Sequence, residues 1–316
     1  PGDQLGISQD QVDEILAAMP EQVAEAASAL GLHVTQQQDF EQIMREANVR
    51  LVEENTTYQE LTWKLEKALK ERDRLAEELN KELELAREIQ QSLQPKDGGD
   101  NFPLTGINIA AKELSGDFYD FFSLPDGRIY FNIGDVSGKG VYAALLMAKT
   151  ISLFHCLGKQ IHDPGILLSQ INDEICETSI RGMFITMIAG LYNPKTGNVS
   201  LVNAGNPPAL VLKADGKVGA FEADGPPIGV VPDTKFTKKE LNLRGGSLYM
   251  YSDGVSGGRN ASGGMLGIRG FMKMIFKLNK LDPKEQLQKI VGFFQQSSEP
   301  IRDDITVLLL RDHHGE

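Results

Sequence analysis

The chain has 316 residues and carries 32 Lys and Arg against 44 Asp and Glu, a net charge of −12. That length supports one large domain or two smaller ones, and the acidic balance lacks the basic footprint that non-specific nucleic-acid binding needs. The two cysteines, Cys156 and Cys176, have no CxxC or Cys/His spacing, so neither a zinc site nor a disulfide framework is expected, and a reducing cytoplasm fits best.

Residues 1–50 are polar with short helical stretches. Ser8 is placed to cap a helix through Met19 with Val12, Ile15 and Leu16 as its apolar face, and Pro20 suits the first turn of a second helix through Leu30. The chain begins with Pro rather than Met, so this segment is expected to be the end of an upstream sensor module. From Leu51 the pattern becomes heptad. Leu51, Tyr58, Leu65, Arg72, Leu79, Ala86 and Leu93 occupy one seam position; Glu54, Leu61, Ala68, Leu75, Glu82 and Ile89 occupy the other. No Pro or Gly interrupts them, and either a single helix lying on a domain or a parallel dimeric coiled coil would satisfy the pattern. The expectation is a coiled-coil linker over 51–95 that forms a homodimer, made marginal by Arg72, Glu54 and Glu82 in the seam. The stretch QPKDGGDNFP, residues 94–103, ends the periodicity and sets a boundary, with a second domain over 96–316. No run of eighteen apolar residues is found, so no membrane span is expected.

Beyond the boundary, strand and helix patterns alternate. Hairpin turns are predicted at 124–128, 193–198 and 214–217, each between strand-like runs. Helical patterns cover 140–158, 164–179, 265–279 and 284–297. Hairpin-linked strands are antiparallel, and with grouped helices they predict an α+β layered fold rather than a doubly wound parallel sheet. Phe118, Tyr119, Phe121 and Phe122 are expected to alternate between the core and a facing layer.

In NIGDVSGKGVYAALLMA, residues 132–148, an apolar strand ends on Asp135 and a small-residue turn opens a helix. Gly134 and Gly138 enclose three residues and Gly140 stands where a Ser or Thr is required, which excludes a phosphate-binding P-loop. A cap at Ser137 or Asp135 would explain the turn, but not a carboxylate closing an apolar strand, where desolvation is costly. Asp117 follows Ser115-Gly116 at the start of another apolar strand. Asp253 follows a third and precedes Gly254, and Asp303 and Asp304 stand at the mouth of a fourth. Gathered at one rim of a sheet, these acids would repel one another and take up protons, and a hard divalent cation would remove that conflict. All-oxygen ligation suits Mg²⁺ or Mn²⁺, and two such ions sharing a water could act on a phosphoryl group.

The blocks LSGDFYDFF, IGDVSGKGVYAALLMA, MFITMIAGLYNPKTGNVSLVNAGNPPALVL, GPPIGVV, YMYSDGV and DDITVLLL occur in this order over about 104–312. That segment resembles the bacterial branch of the PPM (2C-type) metal-dependent serine/threonine phosphatases, the stage II sporulation E/sigma-B regulator subfamily. The helix ELELAREIQQSLQP, residues 82–95, looks like the linker leading into such domains. The resemblance implies a PPM-type antiparallel β-sandwich flanked by helices and preceded by a helical, coiled-coil segment. It implies that Asp117 and Asp135 are shared ligands of two Mn²⁺ or Mg²⁺ ions and act in catalysis through their bound water. The Val136 carbonyl would complete one site, Asp253 and Asp303 would hold the second ion, and Asp304 ranks below them. Lys112 is a candidate phosphate contact, with a solvated strand-edge charge as the plainer reading. Ser115 replaces a usual Gly, Ser256-Gly257-Gly258 replaces a commoner Thr-Glu-Ala, and Asn206 stands where His is frequent. None of these removes an expected ligand.

Cys156 and Cys176 are expected to be buried structural thiols, His155 and His162 helix-surface or packing residues, and His313 and His314 a polar tail. The implied function is dephosphorylation of a phosphorylated regulatory protein, a STAS-type anti-sigma-factor antagonist, under control of the N-terminal dimeric helix. The alternative is a non-catalytic adaptor that binds a phosphoprotein.

Overall fold

A computed structural model describes residues 37–95, 99, 102–178, 182–259, 264–296 and 301–313. The helices expected after Ser8 and Pro20, and His314, lie outside the described residues. The chain divides into two units, residues 1–78 and 79–316.

Helix α1, Gln37–Ser92, begins well before the heptads do. Arg74 bridges Glu71 at 2.7 Å and Glu78 at 2.6 Å, the three- and four-residue spacings that bring helix side chains together. Leu51, Leu61, Leu65, Leu75 and Leu79 are all exposed. In the second unit the pattern changes. Leu83, Ala86, Gln90 and Leu93 turn inward at helical spacing while Ile89, a seam residue, stays exposed. After Leu79 the two lines of the seam therefore part: Ala86 and Leu93 turn onto the domain beside Leu83 and Gln90, with Leu93 packed into an apolar cluster, while the line of Ile89 stays exposed.

Among the described residues, ten strands form two five-stranded sheets. The first has the order β1-β10-β9-β6-β7 and the second β2-β3-β4-β5-β8. In the first, β1 is Leu104–Ile109, β6 Ala209–Leu212, β7 Val218–Phe221, β9 Ser247–Tyr251 and β10 Ile305–Arg311. In the second, β2 is Asp117–Ser123, β3 Ile129–Val136, β4 Ile185–Asn193, β5 Asn198–Ala204 and β8 Lys239–Asn242. Every named pairing is antiparallel. The three predicted hairpins join β2 to β3, β4 to β5 and β6 to β7.

Side-chain alternation builds the layers. Tyr119, Phe121, Phe131 and Ile133 face Leu248, Met250 and Leu308 between the sheets. Phe118 and Tyr130 point the other way, with Phe122 packed beside them, onto Met147, Ile151 and Phe154 of α2 (Val141–Gly158) and Leu167 and Ile171 of α3 (Pro164–Thr178). On the far side, Tyr249, Tyr251 and Leu309 meet Phe271 and Ile275 of α5 (Gly267–Leu278) and Ile290 and Phe294 of α6 (Pro283–Gln295). A one-turn helix, α4 (Asp253–Gly257), interrupts the chain after β9. The result is a helix–sheet–sheet–helix sandwich, the expected α+β architecture.

One expectation, the burial of both cysteines, needs correction. Helix α2 is long and apolar enough, by length and composition alone, to cross a membrane, although no eighteen-residue run is wholly apolar. Here it is a core helix, laying Ala143, Met147, Ile151 and Phe154 on the second sheet. Cys156 is exposed and Cys176 half-buried, because each stands off the inward stripe of its helix; both are free thiols. His155, at the end of α2, does more than cover the surface. Its Nδ1 lies 3.0 Å from the buried Asp120 carboxylate, and its ring lies tilted against Phe122, with the ring centres 4.3 Å apart. Arg128 reaches Nδ1 of His162 at 3.0 Å.

Candidate metal centre

One end of the sandwich collects the acids. Asp117 opens β2 directly opposite Asp135 on β3. Asp253 follows the end of β9, and Asp303 and Asp304 precede β10. The first pair thus belongs to one sheet and the second group to the other. Asp117 is buried, Asp135 half-buried, and Asp253 and Asp303 exposed, so the acids grade from floor to mouth.

Local chemistry explains each placement. The turn after Asp135 is tied by a reciprocal pair: Ser137 N–H donates to Phe184 O, and Phe184 N–H donates to Ser137 Oγ, both at 2.9 Å. Neither Ser137 nor Asp135 caps α2. The cap residue is Gly140, at φ 85°, a conformation L side chains rarely adopt. Gly254 is equally constrained, since a Cβ there would lie 2.0 Å from the Asp304 carbonyl oxygen.

Crowding of like charges in a buried setting shifts the acids. Burial, then the neighbouring Asp135, holds the Asp117 carboxyl well above the usual carboxylate range. Burial, then Asp253, pushes Asp135 up to about 7. Asp253, open to solvent on one side, is raised by partial desolvation on the other and then by Asp303. Asp303 carries an ion pair with Lys139 Nζ at 2.8 Å.

Asp304 faces elsewhere. Its Oδ1 accepts from Ala111 N–H at 2.7 Å, and its Oδ2 accepts from Gly116 N–H and Ser115 Oγ, both at 2.8 Å. It braces the loop before β2. Lys112 is exposed on that loop, and among the described residues it makes no hydrogen bond or ion pair with the acids. Thr306, which sequence reasoning did not single out, donates from Oγ1 to Asp117 Oδ2 at 2.7 Å. Asn108 donates to the Asp117 carbonyl at 3.0 Å and to Thr306 Oγ1 at 2.9 Å. A cleft of about 230 Å³ opens beside the acids, lined by Asp253, Gly257, Gly258, Arg259, Arg302 and Asp303.

The family model of stage II sporulation protein E (SpoIIE) matches residues 125–313, more than half of the chain. The chain belongs to the SpoIIE family. Protein IcfG of Synechocystis sp. is 27% identical over 262 residues, 72% of this chain and 41% of the relative. The phosphoserine phosphatase RsbP of Bacillus subtilis is 30% identical over 186 residues, 55% of this chain and 45% of the relative. The chain thus spans less than half the length of either. The solved SiaA-PP2C domain of Pseudomonas aeruginosa superposes with a TM-score of 0.65 at 20% identity, covering 75% of this chain and 98% of that one. At that identity the likeness establishes the fold, which is of the PP2C type.

The departures noted for this SpoIIE domain have structural roles. Buried Asn206 accepts from Thr186 Oγ1 at 3.3 Å and donates to the Tyr251 carbonyl at 3.0 Å, joining the two sheets just behind Asp253. Gly257 and Gly258 line the cleft. Among the described residues, no three His, Cys, Asp or Glu side chains stand as a closed ligand set: Asp117 is turned to Thr306, Asp303 to Lys139 and Asp304 to the 111–116 loop. The donor chemistry still fits a hard divalent cation, because the converging acids present carboxylate oxygens whose mutual repulsion a cation relieves.

Proposed function

We propose that this chain is a metal-dependent protein serine/threonine phosphatase acting on a phosphorylated regulatory protein of the STAS anti-sigma-antagonist type. It works in the cytoplasm and is controlled through a homodimeric N-terminal helix. The observation that carries this reading is the meeting of Asp117 and Asp135 from one sheet with Asp253 and Asp303 from the other beside an open cleft. Membership of the SpoIIE family and the likeness to a protein named a phosphoserine phosphatase support it. Free cysteines on both core helices agree with a reducing compartment.

Two Mn²⁺ or Mg²⁺ ions would be held by Asp117, Asp135, Asp253, Asp303 and the Val136 carbonyl. When bound, they supply a water of lowered pKa and positive charge for the phosphoryl oxygens. The chain's own residues do the rest. Thr306 and Asn108 fix the Asp117 carboxylate and backbone, and Asn206 holds the end of β9 from which Asp253 projects. The cleft leaves room for the loop that carries a phosphoserine. The exposed leucines of α1 supply the seam of a dimer.

Hydrolysis of a generic phosphate ester, with and without Mn²⁺, tests this reading on the chain and on Asp253→Asn. Manganese-dependent turnover that falls at least about a hundredfold in the variant is expected. A chain that binds the phosphoprotein but shows no turnover at saturating manganese would be an adaptor instead.

A further inference from the structure

Among the described residues of α1, Gln90 alone is buried. A buried amide requires partners for both its ends. Gln90 finds them on a single residue: its Nε2 donates to Ser115 O at 2.8 Å, and its Oε1 accepts from Ser115 N–H at 3.1 Å. This two-point pairing resembles the bonding between neighbouring strands, and it fixes the Ser115 backbone in position and orientation.

Ser115 stands at a junction. Its hydroxyl and the Gly116 N–H share Asp304 Oδ2. Gly116 O accepts from Val136 N–H at 3.3 Å. The next residue is Asp117. The last turn of α1 therefore holds a short peptide whose other contacts reach the floor of the rim: the Asp117 backbone, the Val136 peptide and, through Asp304, the start of β10. The apolar part of the docking falls to other residues of the same face, chiefly Leu93.

We infer that Gln90 is a positioning residue for cation binding. It holds Ser115–Asp117 so that the Asp117 carboxylate and the Val136 carbonyl keep the spacing an ion needs, and cation affinity then depends on the seating of the last turn of α1. This rests on the reading of the rim as a metal centre. It adds the residue through which the helix acts.

The test is Mn²⁺ binding to the full chain, followed by the electron paramagnetic resonance signal of free Mn²⁺, for the unchanged protein, Gln90→Met and Gln90→Glu. Methionine keeps the volume and removes both hydrogen bonds. Glutamate keeps the acceptor and sets a carboxylate against the Ser115 carbonyl. Both variants are expected to bind manganese roughly tenfold more weakly. The KM for a phosphate ester should stay within about twofold of the unchanged protein, the thermal midpoint of the metal-free protein should fall by no more than a few degrees, and kcat should recover at saturating manganese. A residue that merely docks the helix would lower the midpoint and leave the affinity alone. Unchanged affinity in either folded variant overturns this inference while leaving the metal-centre reading intact. An unchanged protein that binds no manganese overturns that reading and this inference together.

Discussion

Asp135 has a carboxyl pushed up to about 7 by burial and by Asp253. Below that pH it holds a proton that an incoming cation must displace, and above it the site is already anionic. Manganese affinity should therefore be full above about pH 7 and fall as the pH drops through it. Calorimetry at pH 6 in buffers of different ionisation enthalpy should register a proton release that shrinks as the pH rises above 7, and binding without proton release at pH 6 would contradict the assignment. The acids themselves were legible in the sequence because a carboxylate beside Gly or Ser at the end of an apolar strand is physically conspicuous. Their supports were not. Thr306 and Asn108 read as ordinary polar residues in strands, and Gln90 as one more amide on a polar helix. What distinguishes them is a partner distant in the chain, Asp117 for Thr306 and Ser115 for Gln90, which no local pattern carries.

At the scale of elements, α1 carries two kinds of surface. Upstream its leucines are exposed, and downstream one line of the same seam, Ala86 and Leu93, turns with Gln90 onto the domain. A dimer seam built on Leu61 and Leu65 should not tolerate charge. The double change Leu61→Glu, Leu65→Glu is expected to raise the dimer dissociation constant at least about tenfold by sedimentation equilibrium, with phosphate-ester turnover by the folded domain still measurable. An assembly state that ignores these changes would place the interface elsewhere. Heptads announced this helix but not its start at Gln37, since the first turns carry no seam. Helix α4 was also invisible, because a five-residue turn containing two glycines has no periodicity to read.

For the whole molecule, hairpin turns and grouped helices were enough to predict antiparallel α+β layers, and the sandwich itself came from the family resemblance. They could not say which strand joins which sheet. Strand β1 pairs with β10 from the opposite end of the domain, and that choice is made by the core between the sheets. Phe131, fully buried there, packs so closely that a Cβ on Gly190 would come within 2.3 Å of its ring. Phe131→Ala should cost about 3–5 kcal/mol of stability, read from urea denaturation. A loss below about 1 kcal/mol would mean that the layers do not depend on this contact. The same interior has a second consequence. Because the acids come in pairs from opposite sheets, the thickness of the filling acts as a gauge block for the gap they span. Cations differ in radius and in how far they let oxygens approach. A methylene added or removed deep in the sandwich could then shift the preference between ions without altering a single carboxylate.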